Sequence, residues 1–142
     1  MTTAGPLVIF DCDGVLVDSE PLSLAVTREV LGELGCTLSE VDGYRHLLGR
    51  SQAHVSDWMR TTYGMLLGSV EERSMQERLM ARLTTSLTGI PHVAETVRGL
   101  DAAVCVASSS TPERIRHSLS VTDLLAVFEP HLFSATMVAR GK

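Results

Sequence analysis

The 142-residue chain reads as an α/β protein whose parallel sheet is interrupted by a long helical insertion. Three observations predict this. The runs LVIF (7–10) and AAVCVA (102–107) are short and continuous, as strands buried on both faces of a parallel sheet are. Between them, from about 18 to 88, four segments carry helical periodicity and none carries the alternation of a strand. After the second run a helix and a further strand pattern follow, which gives the βαβ order of a parallel sheet.

The elements follow in chain order. Leu22, Ala25, Val26, Val30, Leu31 and Leu34 recur at helical spacing over 21–34. Ser19 is suited to cap that helix, Pro21 fits its first turn, and Gly35 can end it. A shorter helix is expected over 39–49, and a third over 51–64 with Ser51 as cap and Gly64 as stop. The fourth, over 70–87, sets Met75, Leu79, Leu83 and Leu87 on one stripe. Ile90 and Pro91 open a short helix reaching about 100. Beyond the second strand, Thr111 is placed to cap a helix with Pro112 at its first position, and HLFSATMV (131–138) is expected as a third strand. The chain thus divides into a core of 1–17 with 89–142 and a helical unit of 18–88.

Composition narrows the function. A hydrophobic content of 44% against 20% charged residues places the chain with globular proteins. The net charge is −5 and the basic residues are scattered, which argues against a nucleic-acid partner, since phosphate contacts need a basic stripe. No apolar stretch approaches the ~20 residues of a membrane span, and MTTAGP has no basic n-region of a signal peptide. Cys12, Cys36 and Cys105 form no CxxC pattern and read as buried thiols of a cytoplasmic protein. The five histidines lack HxxxH or HExxH spacing, so a zinc site is not expected.

The stretch LVIFDCDGVLVDSE (7–20) admits two readings. Asp13-Gly14 between apolar runs is a strong hairpin signal. Alternatively, Asp11 and Asp13 follow the carboxyl end of the first strand, where ligands bind in open α/β sheets. Residues two apart in an extended segment point the same way, so both carboxylates can face one site. The helix near Pro21 leaves VLV few residues to pair, and only a brief flap fits.

DCDGVLVDSE resembles the first motif of the haloacid dehalogenase superfamily. VCVASSS (104–110) is similar to the second motif, a strand ending in Ser or Thr, and VARGK (138–142) to the third, which supplies a lysine. Their order and separation resemble the members with a helical cap after the first motif, the phosphatase and β-phosphoglucomutase group. The resemblance implies a Rossmann-like core, with 18–88 as the cap. It implies a Mg²⁺-dependent phosphatase of a small phosphate ester, such as a sugar phosphate.

A carboxylate nucleophile divides ester hydrolysis into two easier transfers through an aspartyl-phosphate. By resemblance Asp11 is that nucleophile and Asp13 the general acid and base. Both also hold Mg²⁺, Asp11 through its side chain and Asp13 through its carbonyl. Ser108, a backbone N–H from Ser109, and Lys142 are implied as the phosphate ligands. The helix N-terminus that follows the serines adds partial positive charge. LLGRS (47–51) resembles the cap segment facing the active site, which makes Arg50 a substrate ligand; a solvated Arg after a Gly turn is the alternative. Trp58 and the region of Met75 and Met80 read as core of the helical unit.

Two departures bear on function. Ser23 stands where the mutases carry a histidine, which favours a phosphatase over a phosphosugar mutase. The acidic fourth motif is absent from these 142 residues, so the C-terminal part of the core is expected to be missing, as in a fragment of a longer enzyme. The first strand would then lie at an open sheet edge, and a contrasting expectation is an inactive piece that associates with another chain there.

Overall fold

The computed structural model describes residues 5–48, 50 and 52–138. The chain divides into two compact units, Met1–Ser19 with Leu83–Lys142, and Glu20–Arg82. The division falls inside a helix at its second crossing.

The first unit carries the sheet. Strands β1 (Leu7–Phe10), β2 (Ala103–Ser108) and β3 (Leu132–Ser134) lie in that order and are all parallel. Leu7 pairs with Ala103 and Phe10 with Val106, while Ser108 pairs with Ser134. All three carboxyl ends therefore open on one edge. The third strand is shorter than 131–138, because a 3₁₀ turn occupies Ala135–Met137. The Ser134 hydroxyl accepts the Thr136 N–H at 3.1 Å and diverts the backbone from the ladder.

The helices of the second unit are α1 (Glu20–Glu33), α2 (Glu40–His46) and α3 (Gln52–Tyr63); α4 (Ser69–Ser86) begins in it. Ser39 caps α2 by accepting the Asp42 N–H, and Gly35 and Gly64 sit just past the ends of α1 and α3. Ser51, the expected cap of α3, lies outside the described residues. Leu31, Cys36, Leu38 and Met59 form the buried cluster of this unit, with Trp58, Tyr63 and Met75 packed against it. Trp58 stacks on His46 at 4.8 Å, as a core aromatic does. Gly43 allows α1 and α2 to approach closely: a Cβ there would stand 2.3 Å from Leu24 Cδ1.

Back in the first unit come α5 (Val93–Arg98), α6 (Pro112–Val121) and α7 (Leu125–Phe128). Thr111 caps α6 with Pro112 in the first turn, as the sequence implies. Two helices follow the cap, α6 and α7. Asp123 sits at φ 57, a left-handed conformation that Asp tolerates, and it separates α6 from α7. Helix α6 lies against β3 and α7, and α7 against β2. This buries Val106, Ile115, Leu119, Leu124 and Phe128 completely, with Phe10 packed edge-on against Phe128 at 5.7 Å.

The expectation that LVIF is buried on both faces does not hold. Leu7 is 57% exposed and Ile9 62%. Both lie on one face of β1, which is exposed, and among the described residues β1 has β2 as its one strand neighbour and forms the sheet edge. Val8 and Phe10, on the other face, are half-buried.

Candidate functional site

The chain leaves β1 at Asp11, and the long hairpin does not form. Gly14, at φ 73, turns the backbone, and its N–H donates to the Val17 carbonyl at 2.9 Å. Val17 makes only isolated bridges, to Asp13 and to Gly89. The flap is brief, and both aspartates stay at the carboxyl edge of the sheet.

The Asp11 carboxylate accepts the Cys12 N–H at 2.8 Å. Asp13 is held by three donors. Ser19 Oγ reaches Oδ1 at 2.6 Å, Arg114 Nη2 reaches the same oxygen at 2.8 Å, and Ser110 Oγ donates to Oδ2 at 2.6 Å. Burial alone would raise the carboxyl's pKa. The Arg114 guanidinium and the Ser110 and Ser19 hydrogen bonds outweigh it, and the net shift is downward. Asp13 is thus an ionised carboxylate at neutral pH. Cys12, between the two aspartates, is buried as expected; burial, reinforced by the charges of Asp13 and Asp11 and opposed by Arg114, pushes its thiol up to about 12. It is no nucleophile in this state. Cys36 and Cys105 are also buried free thiols.

A second cluster comes from the ends of β2 and β3. Ser108 is 2% exposed and accepts the Ser110 N–H at 3.1 Å. Ser134, equally buried, donates to the Ser110 carbonyl at 2.6 Å. Ser109 is exposed beside them. A shallow apolar depression of ≈ 190 Å³ opens at these strand ends, lined by Ala107, Ser108, Phe133, Ser134, Ala135 and Val138. Helix α6 starts at Pro112, four residues after Ser108, and its N-terminus adds partial positive charge to this edge.

Asp11, Asp13, Ser108 and Ser109 thus all belong to the carboxyl edge of one sheet. Arg50 is exposed and belongs to the other unit. Lys142 lies outside the described residues. Sequence reasoning missed Ser110, Arg114 and Ser134, and gave Ser19 the role of a helix cap without its bond to Asp13. The Ser triplet was the one visible signal for Ser110. Nothing in the sequence links Arg114 to a residue 101 positions earlier.

The donor set suits a small, hard cation. The Asp11 and Asp13 carboxylates and the Ser19 and Ser110 hydroxyls offer hard oxygens, with the Arg114 guanidinium beside Asp13, and no cluster of three or more His, Cys, Asp or Glu side chains occurs among the described residues. Mg²⁺ takes oxygen ligands and keeps several waters, so it needs few protein groups. No described helix is long and apolar enough to cross a membrane.

Comparison with known proteins agrees with this geometry. The family model for haloacid dehalogenase-like hydrolases matches residues 8–142. A 6-phosphogluconate phosphatase of Escherichia coli K12 is 29% identical over 136 residues, covering 95% of this chain and 62% of that protein. A haloacid dehalogenase-like protein of unknown function from Agrobacterium tumefaciens C58 superposes with a TM-score of 0.83 at 28% identity, over 96% of this chain and 62% of that one. A hydrolase of the same family from Deinococcus radiodurans R1, solved with bound phosphate and sodium, gives 0.75 at 26% identity, over 98% and 62%. The chain therefore spans about three-fifths of the length of these relatives. With its parallel sheet and its paired aspartates past the first strand, it belongs to the haloacid dehalogenase-like hydrolase family.

Proposed function

We propose that the full-length protein is a Mg²⁺-dependent phosphatase of a small phosphorylated metabolite, a sugar phosphate or phosphorylated sugar acid, working through an aspartyl-phosphate. The observation that carries this reading is the placement of Asp11 and the clamped Asp13 at the strand edge shared with Ser108. The E. coli relative is named for such a substrate.

Asp11 attacks phosphorus, and the bond from phosphorus to the leaving oxygen breaks. Asp13 gives that oxygen its proton. To do so Asp13 must first be protonated, and the approach of a phosphate dianion favours this by like-charge repulsion. In the second half, Asp13 takes a proton from water, whose oxygen attacks phosphorus and releases Asp11. The ionised form is the one that can accept this proton, through the lone-pair site that its three donors leave free. Ser108 and the Ser109 N–H hold the phosphoryl oxygens, the N-terminus of α6 adds positive potential, and Lys142 neutralises charge. Asp11 through its carboxylate and Asp13 through its carbonyl would hold Mg²⁺, which when bound neutralises the negative charge gathered between carboxylates and phosphate. The helical unit acts as the cap that selects the leaving group, with Arg50 as a contact.

The test is phosphate release by the full-length protein from a panel of sugar phosphates and phosphorylated sugar acids, with Mg²⁺ and with a chelator. Turnover that requires Mg²⁺ is expected. Hydrolysis untouched by the chelator, or none on any ester, would overturn the reading.

A further inference from the structure

We infer that Arg114 and Ser110 are positioning residues that aim the Asp13 carboxylate at the leaving oxygen. This rests on the acid–base role of Asp13 proposed above. Asp13 follows a Gly14 turn on a short flap, and its own loop offers its side chain only Ser19. The other two donors come from the segment after β2: Ser110 Oγ on Oδ2 and Arg114 Nη2 on Oδ1. With both oxygens bonded from that side, rotation of the carboxylate is blocked.

The clamp is itself anchored. Ser110 is fixed through its N–H to Ser108 and through its carbonyl by Ser134, so its hydroxyl is referenced to the ends of two neighbouring strands. Arg114 sits in the first turn of α6, where Thr111 accepts its backbone N–H. The guanidinium is about a quarter exposed, and its Nε is buried without a partner among the described residues. An arginine placed to satisfy itself would turn that N–H to solvent. Here the side chain is arranged around Asp13, at a local cost. Proton transfer depends steeply on donor–acceptor geometry, so a freed carboxylate loses efficiency without any loss of the nucleophile.

The role has a signature that a structural ion pair lacks. The phenolate leaving from phenyl phosphate needs a proton far more than the p-nitrophenolate leaving from p-nitrophenyl phosphate. The measurement is kcat/KM, which reports steps up to phosphoryl transfer, for both esters with the full-length enzyme. Arg114→Leu should lower kcat/KM for phenyl phosphate by about tenfold more than for p-nitrophenyl phosphate, in the lower range for acid–base groups. Arg114→Lys should recover most of that discrimination, and Ser110→Ala should show it in weaker form. An equal fall on both esters in the Arg114 and Ser110 variants would overturn the inference. Should Arg114→Leu fail to fold, Ser110→Ala and Arg114→Lys decide it on the same ratio. Asp13→Asn is the control. If it too lacks leaving-group discrimination, the acid–base reading is what fails; if it discriminates and the clamp variants do not, only the positioning role fails.

Discussion

The two units place their polar groups in opposite ways. In the sheet-bearing unit the buried polar residues are Ser19, Ser108, Ser118 and Ser134, three of them bonded around the strand ends, and the Arg114–Asp13 pair beside them is about three-quarters shielded. In the helical unit the buried cluster is apolar, and the ion pairs Arg78–Glu33, Arg82–Glu29 and Arg60–Asp57 lie on its surface. Burying polar groups is costly unless every one is matched. Among the described residues the matched groups gather at one sheet edge, where the chain also places its paired aspartates, while Ser118, inside α6, is buried with its hydroxyl unmatched.

The largest effect should come from the strand edge. Asp11→Asn in the full-length protein is expected to abolish both turnover and aspartyl-phosphate formation, since an amide is no nucleophile; near-normal hydrolysis would end the comparison as drawn. Asp13→Asn should lower turnover by roughly 10²–10⁴-fold, the range for a general acid–base group. In the apolar layer beneath, Phe128→Ala should destabilise by about 3–5 kcal/mol, because it empties a fully buried ring that packs on Phe10. Denaturant midpoints would read this.

The helical unit should respond to packing more than to charge. Gly43→Ala forces a methyl against the buried Leu24 and is expected to cost about 1–3 kcal/mol. Glu33→Gln, on the exposed Arg78 pair, should be the smallest change, near the noise of a thermal melt. The pH dependence sharpens this contrast. Asp13 and Glu33 both have folded pKa values below their ordinary ones, so each stabilises the fold above the ordinary carboxylate range and loses that contribution as pH falls through the folded value. The effect should be visible for the shielded Asp13 and slight for Glu33, which solvent screens. Unfolding followed below about pH 4 should therefore flatten in Asp13→Asn and barely change in Glu33→Gln.

Local signals made most of the fold readable. Apolar runs located β1 and β2, and Thr111-Pro112 located the start of α6. What failed was set by partners the local pattern does not contain. LVIF looks like a doubly buried strand, yet Leu7 and Ile9 face outward because burial depends on what lies across the sheet. At the site, the DxD spacing and the Ser triplet pointed to Asp11, Asp13, Ser108 and Ser109, the residues proposed to meet substrate. The supports of Asp13 stayed hidden, since Ser110 and Arg114 meet it across 97 and 101 residues and come together only when β1 and β2 pair.

The segments entering and leaving the helical unit are stitched side by side. Asp18 N–H donates to the Thr88 carbonyl at 2.9 Å, and Ile90 N–H to the Leu16 carbonyl at 3.0 Å, around the Val17–Gly89 bridge. For evolution this acts as a socket. With its two ends already fixed, an insertion between them can grow, shrink or be exchanged at small entropic cost, since doubling a loop adds only about 0.6 kcal/mol. Apart from Ser19, which directly follows the stitched Asp18, the polar cluster at the strand ends draws its donors from outside that insertion, from Ser108 onward on the far side. Lineages carrying this core can therefore trade one helical insertion for another while inheriting the same set of strand-end hydrogen bonds.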